Sequence, residues 1–363
     1  MATIIAVVFN PQAPSLYNHP LFVFQHELRS FGYDIHFFDN LSDRRILDSN
    51  TLIFHDRNYR DFLPITQKDR TSATNFLSAF FLKFEHVIWF DNMDSTGWLR
   101  NYVFPMVDKY VKGQILQNQY LYQKQPTGDL HREFAIQRSK VNENRNIRDP
   151  LTALETTKIF IGWNMAFRNW YSVRFSFLYN IQTKLRISGY KLPFVTPNLA
   201  KRGNTIPYRA SYWDNIPSVA WWRKQTKSSI DEFLITHHDF TTNSINRVNR
   251  LAYYNELRNA IVTISPFGIG EICYRDFEAF FCGSLLLKPN MDHLKTWPDL
   301  YIDGETYISH KWDFSDFDEK LEDILTHPDR YEQIAREGQN RFRSALNDGQ
   351  AFARHFHEMV SFE

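Results

Sequence analysis

A glycine-bearing segment near residue 270 contains residue types that suit an anionic ligand. Phe267, Gly268 and Gly270 follow a short apolar run that ends at Ser265, and a helical pattern begins directly after them. Glycines let the backbone approach a ligand closely, and the first turn of a helix presents unpaired N–H groups and a positive dipole end. The segment therefore favours the binding of a phosphate group.

Three charged residues lie along the helix predicted at residues 271–282. Glu271, Arg275 and Glu278 are spaced at i, i+4 and i+7, so we expect them on one helical face. A guanidinium is suited to clamp a diphosphate, and carboxylates accept hydrogen bonds from ribose or sugar hydroxyls. The alternative is an exposed Glu271–Arg275 pair that supports the helix by about 0.3–0.5 kcal/mol. The glycines before the helix favour the ligand site.

Two further basic residues follow predicted strands of the same region. Lys288 ends the run at residues 284–288, and Arg209 follows the run at residues 205–208. Lys288 is suited to contact a phosphate, and a solvated strand-end lysine is the alternative. The sequence leaves this choice and the role of Arg209 open.

The elements that must position these residues alternate between strand-like and helix-like patterns. This alternation predicts parallel sheets covered by helices, with ligands bound at the carboxyl ends of the strands. The predicted strands are residues 4–9, 33–38, 51–54, 87–90, 159–162, 205–208, 234–237, 261–265, 284–288, 301–302 and 306–308. The predicted helices are residues 19–31, 73–84, 98–111, 167–187, 219–233, 246–259, 271–282, 316–325, 328–346 and 352–359. Residues 113–155 show weak periodicity, and we expect loops and short helices there.

The segment from the glycines onward resembles the donor-binding signature of GT-B glycosyltransferases, especially the group 1 and exostosin-like C-terminal domains. The matching residues are Arg275-Asp-Phe-Glu278-Ala279, then Cys282-Gly283, then Ser284-Leu-Leu-Leu-Lys288. The likeness covers about residues 205–345. It implies an α/β GT-B fold, in which two Rossmann-like βαβ domains present parallel sheets to an interdomain cleft. The implied divisions are residues 1–190 for the acceptor, a linker at 191–203, residues 204–345 for the nucleotide sugar, and a last helix within 346–363 crossing back.

The resemblance implies transfer of a sugar from a nucleoside-diphosphate sugar, with UDP or GDP expected, to a glycan or another hydroxyl acceptor. It implies no cofactor and no metal, and it suits polysaccharide biosynthesis. The implied donor-binding residues are Arg209, Phe267, Gly268, Gly270, Glu271, Arg275, Glu278 and Lys288. One departure is that Ser265 stands where Glu often precedes Pro-Phe-Gly, so the stereochemical outcome is not carried over. The alternatives are a non-catalytic nucleotide-sugar or glycan-binding protein on the same fold, or a sugar epimerase.

An inverting transfer needs a general base, and candidates follow the strands of the N-terminal half. Asp91 and Asp94 come directly after the run at residues 87–90, and His19 opens a predicted helix. We expect Asp91 or Asp94 to be the base, with His19 as the alternative. A strand-end aspartate is also a common helix N-cap. The Asp-x-x-Asp spacing does not fit an Asp-x-Asp metal motif, so no metal is expected.

Composition narrows the partners and the location. The 363 residues carry a net charge of +1, which does not favour nucleic acid. Cys273 and Cys282 are the two cysteines, and nine residues of helix would separate them by about 13 Å, beyond disulfide reach. No run of 18 apolar residues and no leader pattern occurs. We therefore expect a cytoplasmic protein without a membrane span, and peripheral membrane contact stays open.

Overall fold

The structure is a computed structural model that describes residues 2–9, 18–56, 67–124, 129–143, 149–168, 170, 190 and 192–362. Most of the helix predicted at residues 167–187 falls outside these residues.

Six parallel strands form one sheet in the N-terminal half, in the order β2-β1-β3-β4-β5-β7. Ile5 and Val7 face one apolar core and Ala6 faces the other, because side chains alternate across a strand. Burial on both faces explains why these strands are continuous apolar runs. The strands are β1 Thr3–Val8, β2 Tyr33–Phe38, β3 Thr51–His55, β4 His86–Asp91, β5 Lys109–Lys112, β6 Gln114–Leu116 and β7 Ile159–Ile161.

Short helices accompany this sheet. The helix predicted at residues 98–111 is wrong, because residues Asn101–Met106 form a 3-10 helix and β5 follows. Pro105 lies inside that 3-10 turn, and a proline removes the N–H that a longer α-helix would need. The helices are α1 His19–Val23, α2 Gln25–Ser30, α3 Gln67–Phe81, α4 Leu130–Ser139 and α5 Ala153–Thr157.

The C-terminal half contains a second parallel sheet, in which β11 lies between β10 and β13. Ile264 of β10 is in register with Leu287 of β11, and both side chains are buried. The parallel pair β8–β9 lies beside β10, joined to it by a bridge between Gly203 and Ala260. The strands are β8 Thr205–Ile206, β9 Thr241–Thr242, β10 Val262–Ile264, β11 Leu285–Pro289, β12 Leu294–Thr296 and β13 Ile308–His310.

Among the described residues, six α-helices belong to the C-terminal half. The strand predicted at residues 234–237 is wrong, because α6 continues through Thr236 and its buried face includes Ile230 and Phe233. The strand predicted at residues 301–302 is absent as well. The helices are α6 Pro217–Thr236, α7 Arg250–Asn259, α8 Tyr274–Cys282, α9 Phe317–Thr326, α10 Pro328–Asn347 and α11 Gly349–Val360.

Two features join the halves. Strand β12 pairs antiparallel with β6, so a strand of each half contributes to one small ladder. Helix α11 packs on the N-terminal half, where His355 Nε2 lies 3.0 Å from the Gly162 carbonyl oxygen and His357 Nδ1 lies 2.5 Å from the Tyr33 hydroxyl. The expected α/β class with parallel sheets in both halves is confirmed. Within the described ranges, no helix combines the length and apolar character that crossing a bilayer requires.

Substitution of Gly338, which is buried within α10, tests this packing. Alanine at a helical glycine normally stabilises by about 1 kcal/mol. A Cβ at Gly338, however, would lie 2.4 Å from the Thr306 carbonyl oxygen and 2.6 Å from a Phe280 ring carbon. We expect Gly338→Ala to reduce the free energy of unfolding in urea by about 1–3 kcal/mol. Asn340→Ala, at an exposed position of the same helix, should leave it within about 0.5 kcal/mol, and a stabilised Gly338→Ala protein would contradict this packing.

Candidate functional site

The glycine loop, residues 265–273, connects β10 to α8. Helix α8 begins at Tyr274, so the prediction that Glu271 shares a helical face with Arg275 is wrong. The start is set by Asp276, whose Oδ2 accepts a hydrogen bond from the Cys273 N–H at 3.0 Å. A carboxylate of the chain therefore occupies the helix N-terminus, where the sequence suggested a phosphate.

Asp276 is also the centre of a buried polar network. Lys288 Nζ lies 3.2 Å from Asp276 Oδ2, and neither side chain is exposed. The Tyr301 hydroxyl donates to the same oxygen at 2.8 Å, and Ser265 Oγ donates to Oδ1. Lys288 also donates to the Ser265 carbonyl at 3.4 Å. The predicted phosphate ligand Lys288 is thus held inside the protein, where it fixes the start of the glycine loop.

The guanidinium of Arg223 lies beside Gly268 and interacts electrostatically with that of Arg275. Arg275 is half-buried and donates to the Ile264 carbonyl at 3.3 Å and to the Arg209 carbonyl. Arg223 Nη2 lies 3.4 Å from the point that a Cβ on Gly268 would occupy. Burial lowers the pKa of Arg223, and the charge of Arg275 acts in the same direction.

In the part of the chain that the structure describes, neither guanidinium forms an ion pair with a carboxylate. Arg223 Nη1 donates a hydrogen bond to the Ser211 carbonyl. The Arg223 guanidinium carbon lies 5.4 Å from the centre of the exposed Trp213 ring. Two adjacent positive charges without a counter-ion favour an anionic ligand. The sequence pattern did not predict a role for Arg223, because this residue lies inside helix α6 and outside the motif at residues 275–288.

Arg209 and Glu278 are engaged within the C-terminal half. Arg209 makes a bidentate pair with Glu256, with both nitrogen–oxygen distances at 2.6 Å. Glu278 accepts hydrogen bonds from the hydroxyls of Tyr253 at 2.9 Å and Tyr254 at 3.2 Å. Both predicted donor ligands therefore face α7, and the structure places the backbone carbonyl of Arg209, not its side chain, against Arg275.

Glu271 instead reaches the N-terminal half. Its Oε1 lies 3.4 Å from His131 Nδ1 and 3.9 Å from His293 Nε2, and its Oε2 accepts the Thr96 N–H at 3.1 Å. We call Glu271, His131 and His293 the interdomain cluster. His131 comes from α4, and His293 precedes β12. Glu271 and His131 are fully buried, whereas the His293 side chain is 14% exposed.

The interdomain cluster is charged on one side and neutral on the other. Burial raises the pKa of Glu271, but His131, His293 and the Thr96 N–H outweigh burial and bring it to about 2. Burial lowers the pKa of His293 to about 4. At neutral pH the cluster thus combines a carboxylate with a neutral His293 imidazole.

Gly270 permits the close contact between the halves. A Cβ at Gly270 would lie 1.9 Å from the Asp94 carbonyl oxygen, so only glycine fits there. Gln114 donates to the same carbonyl. Phe267 is fully buried next to this contact, with its ring 5.3 Å from that of His131. Phe267 therefore packs the loop and is not exposed to a ligand.

The three predicted bases occupy different environments. Asp91 is fully buried, and its Oδ2 accepts from the Tyr110 hydroxyl at 2.6 Å and from Lys112 Nζ at 2.9 Å. This ion pair gives Asp91 a structural role inside the N-terminal half. Asp94 contacts the glycine loop through its backbone. His19 is buried edge-on against Tyr190 at 5.1 Å, and burial lowers its pKa to about 3.

Known proteins support the resemblance. Residues 221–356, which include the glycine loop, both guanidinium groups and Glu271, match a family model described as glycosyl transferase-like. The chain carries a glycosyl transferase-like domain. This match confirms the likeness to glycosyltransferases. No curated protein matches the chain by sequence. No group of three or more His, Cys, Asp or Glu suited to hold a metal ion occurs among the residues with described positions.

Solved structures are similar over nearly the whole chain. An α1,3-fucosyltransferase is 12% identical, covering 100% of this chain and 91% of that one with a TM-score of 0.45. HepE from Anabaena in complex with UDP is 7% identical, with 99% of each chain covered and a TM-score of 0.44. An α-glucosyltransferase in complex with UDP-glucose and DNA containing an abasic site is 11% identical, covering 99% of this chain and 100% of that one with a TM-score of 0.40. At these scores the likenesses assign no residue of the glycosyl transferase-like domain.

The first prediction for the site concerns the buried pair. Lys288→Met leaves the Asp276 carboxylate buried without its cation, so we expect the free energy of unfolding in urea to fall by about 3–5 kcal/mol. Lys288→Met combined with Asp276→Asn should recover part of this loss, because the uncompensated charge is gone. Lys311→Met, at an exposed lysine, is the control. A loss below about 1 kcal/mol for Lys288→Met would refute the structural role of the pair.

The second prediction concerns the pH dependence that Glu271 confers. Its pKa of about 2 in the folded protein lies below the ordinary 4.5. Ionised Glu271 therefore stabilises the folded state above pH 4.5, and this contribution is lost as the pH falls toward 2. We expect Glu271→Gln to lose on the order of 2 kcal/mol of stability at pH 7, and the difference from wild type to shrink between pH 4.5 and 3. A difference independent of pH would contradict this.

Proposed function

We propose that this glycosyltransferase takes its sugar from a nucleoside-diphosphate sugar and binds the diphosphate at Gly268, between Arg223 and Arg275. The observation that carries the proposal is the Arg223 guanidinium beside Gly268, which interacts electrostatically with that of Arg275. Both residues lie in the matched segment, and neither has a carboxylate partner among the described residues. Arg223 replaces the predicted ligands Arg209 and Lys288, whose side chains are already satisfied.

The chemistry of the transfer explains why two cations are needed there. When the bond between the sugar and the phosphate breaks, the nucleoside diphosphate leaves with additional negative charge. Fixed guanidinium groups stabilise that charge in a site that excludes water, and they do so most strongly in the transition state. A guanidinium also binds two phosphate oxygens at once. With both arginines in place, the leaving group is neutralised without a metal ion, as the proposal requires.

The remaining substrates belong to the same proposal. We expect UDP or GDP as the nucleotide and a glycan or another hydroxyl compound as the acceptor, in polysaccharide synthesis. A cytoplasmic location is supported by two free cysteines, Cys273 and Cys282.

Nucleotide binding to arginine variants tests the diphosphate site. We expect Arg223→Met to weaken UDP or GDP binding by at least about tenfold, which is about 1.4 kcal/mol, because one of two charges is lost. Arg275→Met should weaken it similarly. Arg330→Met, at an exposed arginine of α10, should bind as wild type does. Titration calorimetry at two salt concentrations measures the nucleotide affinity of each variant and its electrostatic part. Wild-type affinity in both Arg223→Met and Arg275→Met would refute the site.

Product analysis separates this function from the alternatives. The wild-type protein is incubated with UDP-sugars and GDP-sugars, with and without a panel of hydroxyl acceptors, and products are resolved by mass spectrometry and NMR. Sugar appearing on an acceptor supports the proposal. An altered sugar formed from donor alone indicates an epimerase, and nucleotide binding without any product indicates a binding protein.

A further inference from the structure

We infer that His131 accepts the proton of the acceptor hydroxyl during transfer, that Glu271 orients it, and that the reaction inverts the anomeric centre. The inference rests on the proposed function and deepens it, because it assigns the base. Asp91, Asp94 and His19, the bases that the sequence suggested, do not belong to the interdomain cluster.

Unsatisfied polar atoms point to a ligand at the interdomain cluster. Glu271 Oε1 and both ring nitrogens of His131 and of His293 are buried without a hydrogen-bond partner in the described part of the chain. Each such atom costs about 1–3 kcal/mol unless something pairs with it. A hydroxyl group both donates and accepts, so acceptor hydroxyls satisfy atoms of this kind.

The geometry assigns the roles of the two ring nitrogens. His131 Nδ1 lies 3.4 Å from Glu271 Oε1, within reach of an ion pair although not aligned as a hydrogen bond. A proton on Nδ1 facing this carboxylate leaves Nε2 as the acceptor nitrogen. The carboxylate then stabilises the imidazolium that forms, as in other carboxylate–histidine pairs.

Further charged groups surround His131 and His293. Asp129, at the N-cap of α4, interacts electrostatically with His131, accepts a hydrogen bond from Ser95 Oγ and lies 3.7 Å from Arg132 Nη1. His293 comes from the segment before β12 and is neutral at pH 7. It interacts electrostatically with Asp292 and Lys288 as well as with Glu271. Glu271 and Asp129 both interact electrostatically with His131.

Two positions within the glycine loop, Gly268 and Glu271, separate the leaving group from the base. Arg223 lies at Gly268, on the side of the C-terminal half, whereas Glu271 faces His131 and Thr96 of the N-terminal half. The acceptor oxygen forms a bond to the anomeric carbon as the bond from that carbon to the phosphate oxygen breaks. The nucleoside diphosphate leaves with the electron pair, and the hydroxyl proton passes to His131 Nε2. Attack from the side opposite the leaving group inverts the centre.

Variants of His131 test the assignment in the full-length protein. We expect His131→Ala to lower kcat by at least about 100-fold, with nucleotide affinity within about twofold of wild type, because only proton transfer is lost. Added imidazole should restore part of the rate. His131→Gln provides the same test if the alanine variant does not fold. His310→Gln, at another buried histidine that contacts the Lys311 carbonyl, should keep kcat within about threefold.

The pH profile and the product anomer distinguish a base from a structural residue. The pH–rate profile of the wild type should have an acidic limb, because a general base must be deprotonated to act, and this limb should be absent in His131→Ala. NMR should show the opposite anomer in the product. Wild-type kcat in the His131 variants, or retention of configuration, would overturn the inference and leave the proposed function intact. A wild-type protein that binds nucleotide and transfers no sugar would overturn both.

Discussion

The Asp276 carboxylate is the interaction on which the site depends. It caps the first turn of α8, pairs with buried Lys288 and accepts hydrogen bonds from Ser265 and Tyr301. Removing two charges from water is costly, so the pair is stable only because every lone pair of the carboxylate is used. Asp276 holds both ends of the glycine loop, Ser265 and Cys273. These two anchors set the direction in which the residues between them point.

The loop held in this way becomes the contact between the two halves of the protein. Gly270 lies against the Asp94 carbonyl, and Glu271 extends beyond it to the Thr96 amide and His131. The ladder between β6 and β12 and the packing of α11 hold the halves together on either side. The buried Glu271 carboxylate of the C-terminal half is compensated by His131 and the Thr96 amide of the N-terminal half. The interdomain cluster therefore exists only when the two halves are in contact.

Satisfaction of buried polar groups separates structural residues from candidates for function. Lys288, Arg209 and Asp91 have the residue types expected at a donor or acceptor site, yet each is paired inside the protein. Arg223 has no carboxylate partner among the described residues, and the ring nitrogens of His131 accept or donate no hydrogen bond there. Both residues lie next to the glycine loop. Side chains whose charge or hydrogen-bonding atoms are not satisfied inside the protein, more than residue types alone, therefore identify the proposed site.

The sequence by itself determined the class of fold and the location of the central loop. Apolar alternation is a local property, so β1 to β4 and the strands around Gly268 were predicted from it. The glycosyltransferase-like character of the segment with Arg275 was implied by the resemblance of its motif to a known family. The start of α8 at Tyr274 is set by Asp276, a local cap that the prediction from residue spacing overlooked. Tertiary structure decided where Glu271 then points. It alone brought His131 to Glu271, 140 residues apart in the sequence. Spacing along one helix carries no information about such a pair, since chain topology and burial place its members together.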